Sequence, residues 1–134
     1  SKPVISPLVW AKDQDLKNLL QSAINLLRDD ALANTELSIE VDDIRDGSRR
    51  DVTISLGNKG YGIPGEEFEK IAKKLMDGEI SAESHSSLRR FLERKSTVED
   101  WAKIEISSAL GRGYLIQVKL EGFSINNLTA GYEE

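Results

Sequence analysis

The chain has 134 residues, a length that suits one domain with one hydrophobic core over residues 1–134. Its net charge of −5 disfavours nucleic acid as a partner, because contacts to phosphates need a basic surface. Cysteine is absent, which excludes disulfides and thiolate metal sites and fits a cytoplasmic location. No apolar run reaches the ~18 residues of a membrane span.

The first predicted element is a helix in residues 15–32, DLKNLLQSAINLLRDDAL. Its apolar residues recur at helical spacing and form one stripe for the core: Leu16, Leu19, Leu20, Ala23, Ile24 and Leu27. Gln21, Asn25 and Asp29 are spaced four residues apart, so they form a narrow polar face on the opposite side.

Alternating apolar residues then predict two strands, in residues 36–43 and 51–57. The dipeptide Asp46-Gly47 lies between them and is typical of a hairpin turn, so we expect antiparallel pairing. Two further strands are predicted in residues 102–108 and 114–120, with a turn at residues 111–113 between them.

Two amphipathic helices separate the predicted hairpins. Pro64 opens the first, in residues 66–76, and Gly78 ends it. The second covers residues 84–95. The order predicts an α+β fold, a two-layer sandwich with a mixed, mainly antiparallel sheet and about three helices on one face.

The segment GNKGYGIP, residues 57–64, connects a predicted strand to a predicted helix. Together with the element order, it resembles the ATP-binding domain of sensor histidine kinases, within the GHKL ATPases and their Bergerat-type fold. The resemblance runs over residues 7–120. It implies a nucleotide site built from the first helix, this loop and a lid before the third helix.

The first helix is similar to the N box, where two asparagines four residues apart hold Mg²⁺ and the ATP phosphates. Asn25 matches the first position, and the second falls on Asp29 or Asp30, depending on where one extra residue is placed. Carboxylates can also ligate Mg²⁺. The lysine that follows in the family is absent here.

The loop is similar to the G1 box, Asp-x-Gly-x-Gly-Ile-Pro, with matches at Gly60, Gly62, Ile63 and Pro64. The glycines would let the backbone approach adenine, although a tight strand-to-helix turn explains them equally well. Asn58 replaces the aspartate that accepts the adenine amino group in the family. An amide accepts this hydrogen bond less strongly than a carboxylate does, by roughly 1 kcal/mol.

The lid departs furthest from the family, which has Gly-x-Gly-Leu-Gly-Leu there. This chain reads SHSSLRRF in residues 84–91, without a glycine between Gly78 and Gly111. Ser84, Ser86 and Arg89 are the available substitute donors. The final hairpin matches the family at Ser108, Gly111 and Gly113, with Tyr114 in place of a threonine.

Other chemistries have little support in the sequence. His85 is the only histidine, and it lacks the Glu-Leu-Arg context of a phosphoacceptor, so we interpret it as a surface residue. One histidine and no cysteine cannot supply the usual zinc ligands. Trp10 and Trp101 are predicted at the edges of the core.

Three hypotheses remain. The first is a degenerate kinase-type domain that acts as a protein-interaction or regulatory module in signalling, with weak or absent binding of ATP and Mg²⁺. The second is a working catalytic domain, with nucleotide bound by Asn25, Asn58, Gly60, Gly62 and Ile63 and Mg²⁺ held by Asn25, Asp29 and Asp30. The third is an anti-sigma-type partner-switching regulator. A signalling protein is the expected partner, and a homodimer is left open.

Overall fold

The computed structural model describes residues 7–47, 49–80 and 85–123, with side chains described within residues 12–121. These ranges form three helices and four strands in the predicted order. They are α1 (Pro7–Asp30), β1 (Ser38–Asp46), β2 (Arg49–Gly57), α2 (Gly65–Met76), α3 (Ser86–Val98), β3 (Lys103–Ala109) and β4 (Gly113–Phe123). The predicted α+β sandwich is confirmed.

The four strands form one sheet in the order β1-β2-β4-β3. All three described strand pairs are antiparallel, so the described sheet contains no parallel pair. The predicted first hairpin is confirmed by the pairing of Asp46 with Arg49 and by Gly47, whose φ is +61°. The second hairpin turns at Gly111 and Gly113, also as predicted.

One face of the sheet packs against the helices and forms the core. In α1, Leu19, Ala23 and Leu27 are completely buried, which confirms the apolar stripe. They belong to one cluster with buried residues of the sheet and of the other helices, among them Leu56, Leu75, Leu88, Phe91, Ile116 and Val118. Burial of such side chains is worth ~1.5–3 kcal/mol each.

The ends of the helices differ in part from the predictions. Helix α1 begins at Pro7 rather than at Asp15, since proline is tolerated in a first turn. Gly78 ends α2 as predicted: its φ is +74°, and the next residue, Glu79, donates its N–H to the Lys74 carbonyl at 2.9 Å. The predicted start of α3 at Ser84 lies outside the described residues.

Trp101 is half-buried against the core, as predicted, with the Lys12 ammonium 5.9 Å from its ring centroid. The side chain of Trp10 lies outside the described residues. Among the described helices, none combines the length and apolar character needed to cross a membrane.

Candidate functional site

The glycine loop lies against the C-terminal end of α1. The backbone N–H of Tyr61 donates to the Asp30 carbonyl at 3.1 Å, and that of Leu32 donates to the Lys59 carbonyl at 2.8 Å. Ala31 and Gly60 form an isolated antiparallel bridge. The structure therefore brings the end of the predicted N box and the predicted G1 loop together, although they are far apart in the sequence.

The side chain of Asn58 joins three parts of the chain at this point. Its amide nitrogen donates to the Leu27 carbonyl at 2.8 Å and to the Asp30 carboxylate at 3.0 Å. Its amide oxygen accepts the backbone N–H of Tyr114 at 2.8 Å. The backbone partners define the orientation, because a carbonyl can only accept and an N–H can only donate. Both donors and one acceptor position of this amide are thus used within the protein.

The carboxylate of Asp30 is also engaged on both oxygens. One oxygen accepts the backbone N–H of Gly62 at 2.9 Å, and the other accepts the Asn58 amide. Asp29 binds a different element: its carboxylate accepts a hydrogen bond from the hydroxyl of Ser87 in α3. The two acidic residues that the sequence left as alternatives therefore bind different elements.

The glycines of the loop allow Asp30 and the backbone of the second hairpin to lie close against the loop backbone. A Cβ built on Gly60 would overlap the carboxylate of Asp30, and one on Gly62 would overlap the backbone carbonyl of Ala109. Gly62 also has a φ of +66°, which side chains other than glycine rarely adopt. Both glycines are therefore required by the packing of this loop.

Ser108 connects the loop to the second hairpin. Its hydroxyl accepts the backbone N–H of Ile63 at 2.7 Å and donates to the Gly113 carbonyl at 3.1 Å. On the other side of the loop, the N–H of Gly111 donates to the Tyr61 carbonyl at 2.7 Å. The loop is consequently held at both ends. The sequence indicated Ser108 only as a marker of fold, and this bond was not predicted.

Tyr114 is buried beside Asp30 and Ser108, with 6% of its surface exposed. Its ring meets that of Phe68 edge to face, with the centroids 6.1 Å apart. Burial, followed by the negative charge of Asp30, raises the pKa of Tyr114 to about 12. The sequence comparison noted this tyrosine as a departure from threonine, but it did not predict that the ring would be enclosed.

We expect the phenol of Tyr114 to ionise with a midpoint near pH 12. The neutral phenol is favoured in the folded state, so its stabilisation is complete below pH 10 and is lost as the pH rises towards 12. Near-ultraviolet absorbance against pH measures this step. Tyr114→Phe should remove it, and Tyr61→Phe, at a residue that is 65% exposed, should leave it in place. Ionisation of all tyrosines near pH 10 would contradict the burial of this ring.

Two cavities border this region. A volume of about 170 Å³ lies between the end of α1 and the start of α3, lined by Leu26, Asp29, Asp30, His85, Ser86, Ser87, Leu88 and Tyr114. A polar cleft of about 450 Å³ lies on the other side of Asp29, lined by Ser22, Asn25, Arg28, Asp29, Ser86, Ser87 and Arg90. Asn25 is exposed, and its side-chain oxygen accepts a hydrogen bond from the side-chain amide of Gln21 at 3.1 Å. These contacts confirm the polar face of α1.

The predicted site residues thus separate into two groups. Asp30, Asn58, Gly60, Gly62 and Ile63 meet at the loop, whereas Asn25 lies in the polar cleft with Asp29. In residues 7–47, 49–80 and 85–123, no three histidine, cysteine or acidic side chains are grouped so that they could hold a metal. The binding of Mg²⁺ by Asn25, Asp29 and Asp30 stays a prediction.

The element order and the sheet define a histidine-kinase-like fold. A solved structure with this fold is the histidine kinase domain of the blue-light activated histidine kinase EL346 from Erythrobacter litoralis, with a TM-score of 0.51. The two sequences are 10% identical over 91% of this chain, which spans half the length of that chain. At this identity the likeness shows the fold alone. No protein-family model and no curated protein matches the sequence.

Proposed function

We propose that this chain is a degenerate histidine-kinase-type domain of the GHKL ATPases. It would act in signal transduction as a protein-interaction or regulatory module, with weak or no affinity for nucleotide. The observation that carries the proposal is the internal use of the Asn58 side chain. The family resemblance gives this position to the residue that recognises adenine.

The hydrogen bonds of Asn58 leave little capacity for a purine. An adenine amino group needs an acceptor, and the Tyr114 N–H already uses one of the two acceptor positions of the amide oxygen. The Asp30 carboxylate lies against the backbone of the loop glycines, the space in which the resemblance would place the adenine base. A nucleotide that displaced Asp30 from Asn58 and from the glycine loop would have to break hydrogen bonds worth ~0.5–1.5 kcal/mol each net, and ~1.5–3 kcal/mol where a charge takes part.

The available space also disfavours ATP. The cavity beside Asp30 and Tyr114 has about 170 Å³, whereas small-molecule sites usually have ~300–1,000 Å³. The N-terminus of α3 lies close over it, held to α1 by the bond between Ser87 and Asp29. The residues present therefore do not fit an enclosed nucleotide in this arrangement, and we derive no phosphoryl transfer from it.

A second candidate, a working ATP-binding domain of a divergent histidine kinase, is favoured by the polar cleft. Its volume of about 450 Å³ lies in the range of ligand sites, and it combines Asn25 and Asp29 with two arginines, Arg28 and Arg90. In that function, α3 would have to move away from α1 to admit the base.

A calorimetric titration with ATP and with ADP, each with and without Mg²⁺, separates the two functions. We expect no resolvable heat and an unchanged Tm, because a ligand that does not bind the folded state cannot stabilise it. Saturable binding with a Kd below about 1 μM would overturn the proposal. In that case Asn25→Ala and Asn58→Ala should abolish binding, and binding unchanged in both would also exclude the assigned residue roles of the working enzyme.

A further inference from the structure

Strand β1 is an edge strand of the sheet that the structure describes. Among the described strands it pairs with β2 alone, and all nine of its residues are exposed. In an antiparallel edge strand, every second residue turns its N–H and C=O away from the neighbouring strand. Residues 38–46 therefore present a row of backbone donors and acceptors to which another strand can pair.

The helix-facing side of this edge carries an apolar row. Ile39 and Val41 lie directly opposite Leu56 and Ile54, so they share the face that forms the core. They are nevertheless 56% and 64% exposed. The reason is the position of α1, whose main contacts with the sheet are on β2 and β4. The hydrophobic layer thus extends one strand beyond the helices.

The opposite side of the same edge carries the acidic residues Glu40 and Asp42, followed by the exposed Ile44. Glu40 and Asp42 lie opposite Ser55 and Thr53, and within the described ranges neither forms an ion pair or a side-chain hydrogen bond. Asp43 lies on the other side of the strand, with Ile39 and Val41, and Arg50 binds both of its oxygens at 2.8 Å and holds its pKa below the usual value. The negative charges of Glu40 and Asp42 are thus not compensated by neighbouring residues of the described chain.

We propose that β1 binds an extended segment of a partner protein whose residues alternate between apolar and basic. The segment would add a fifth strand to the sheet, with its apolar side chains on Ile39 and Val41 and its basic side chains beside Glu40 and Asp42. A second copy of β1 fits poorly, because that strand contains four acidic residues and one arginine. This inference rests on the proposed role as an interaction module and names the chemistry of its partner.

The test uses a fluorescent peptide of alternating valine and lysine, about ten residues long, and measures anisotropy with the whole chain. A peptide of alternating valine and glutamate is the matched control. The test variant is Glu40→Lys with Asp42→Lys. The control variant is Glu69→Lys with Asp77→Lys, which changes the net charge equally on α2 and at its C-cap, at exposed residues that form no ion pair with a described side chain.

We expect the valine–lysine peptide to bind the native chain and the α2 variant alike, and the β1 variant at least about tenfold more weakly. Amide NMR shifts should be largest in residues 38–46. Absence of binding, equal binding of the valine–glutamate peptide, or equal weakening in both variants would overturn the proposal. None of these outcomes depends on ATP, so the calorimetric titration tests the proposed loss of nucleotide binding separately.

Discussion

Replacing Asn58 by aspartate, the residue that the family has there, is expected to destabilise the fold by about 3 kcal/mol without creating ATP binding. The new carboxylate would lose both donors and would face two acceptors, the Leu27 carbonyl and the Asp30 carboxylate. Equilibrium unfolding in urea at pH 7 measures the loss. The loss should shrink as the pH falls from 7 towards about 4, because the two facing acceptors raise the pKa of the new carboxyl above its unfolded value of about 3.9, and the protonated carboxyl regains one donor.

Two further variants serve as a comparison and a control for Asn58→Asp. Asn58→Ala should also lose stability, since it leaves the Tyr114 N–H and the Leu27 carbonyl without their partner, but it should lack the same relief in acid. Gln117→Ala is the control, because among the described residues the side-chain amide of Gln117 forms a hydrogen bond only with the hydroxyl of Ser55, at 3.4 Å. If Asn58→Asp kept its stability and bound ATP tightly, our description of this side chain would be wrong.

Gly62→Ala is expected to cost about 3 kcal/mol or more, because two penalties add at this position. A positive φ costs a residue with a Cβ ~1–2 kcal/mol, and the overlap with the backbone carbonyl of Ala109 adds the ~1–3 kcal/mol of overpacking. Urea unfolding of the variant beside the native chain gives the value.

Gly47→Ala provides the matched control for this prediction. Its φ of +61° is close to the +66° of Gly62, but a Cβ there meets nothing within 4 Å. The control should therefore lose only the ~1–2 kcal/mol of backbone strain. Equal losses in both variants would mean that the close contact between the loop and the second hairpin does not exist in solution.

Much of the fold could be predicted because it depends on local patterns. The apolar stripe of α1 at helical spacing, the Asp46-Gly47 turn and the Gly78 helix end each reflect neighbours in the sequence, and the structure agrees with all three. The early start of α1 at Pro7 was missed, because residues 7–14 lack the apolar periodicity on which the prediction relied.

The candidate site could be predicted only in part. The resemblance indicated that α1 and the glycine loop would meet, but the bonding of Asn58 depends on backbone atoms of Leu27 and Tyr114, which no residue pattern reveals. Tyr114 offered a signal, since a large ring replaces the threonine of the family's final hairpin. Its burial against Phe68 required the three-dimensional arrangement.

The proposal as a whole depends on the side-chain amide of Asn58 being committed to the protein. NMR can follow its two protons, assigned by comparison with Asn58→Ala, while ATP and Mg²⁺ are added. We predict that these signals and the backbone amide of Tyr114 keep their positions throughout the titration. A saturable shift of both would show that nucleotide displaces Asp30 and takes over this amide, and it would contradict the account.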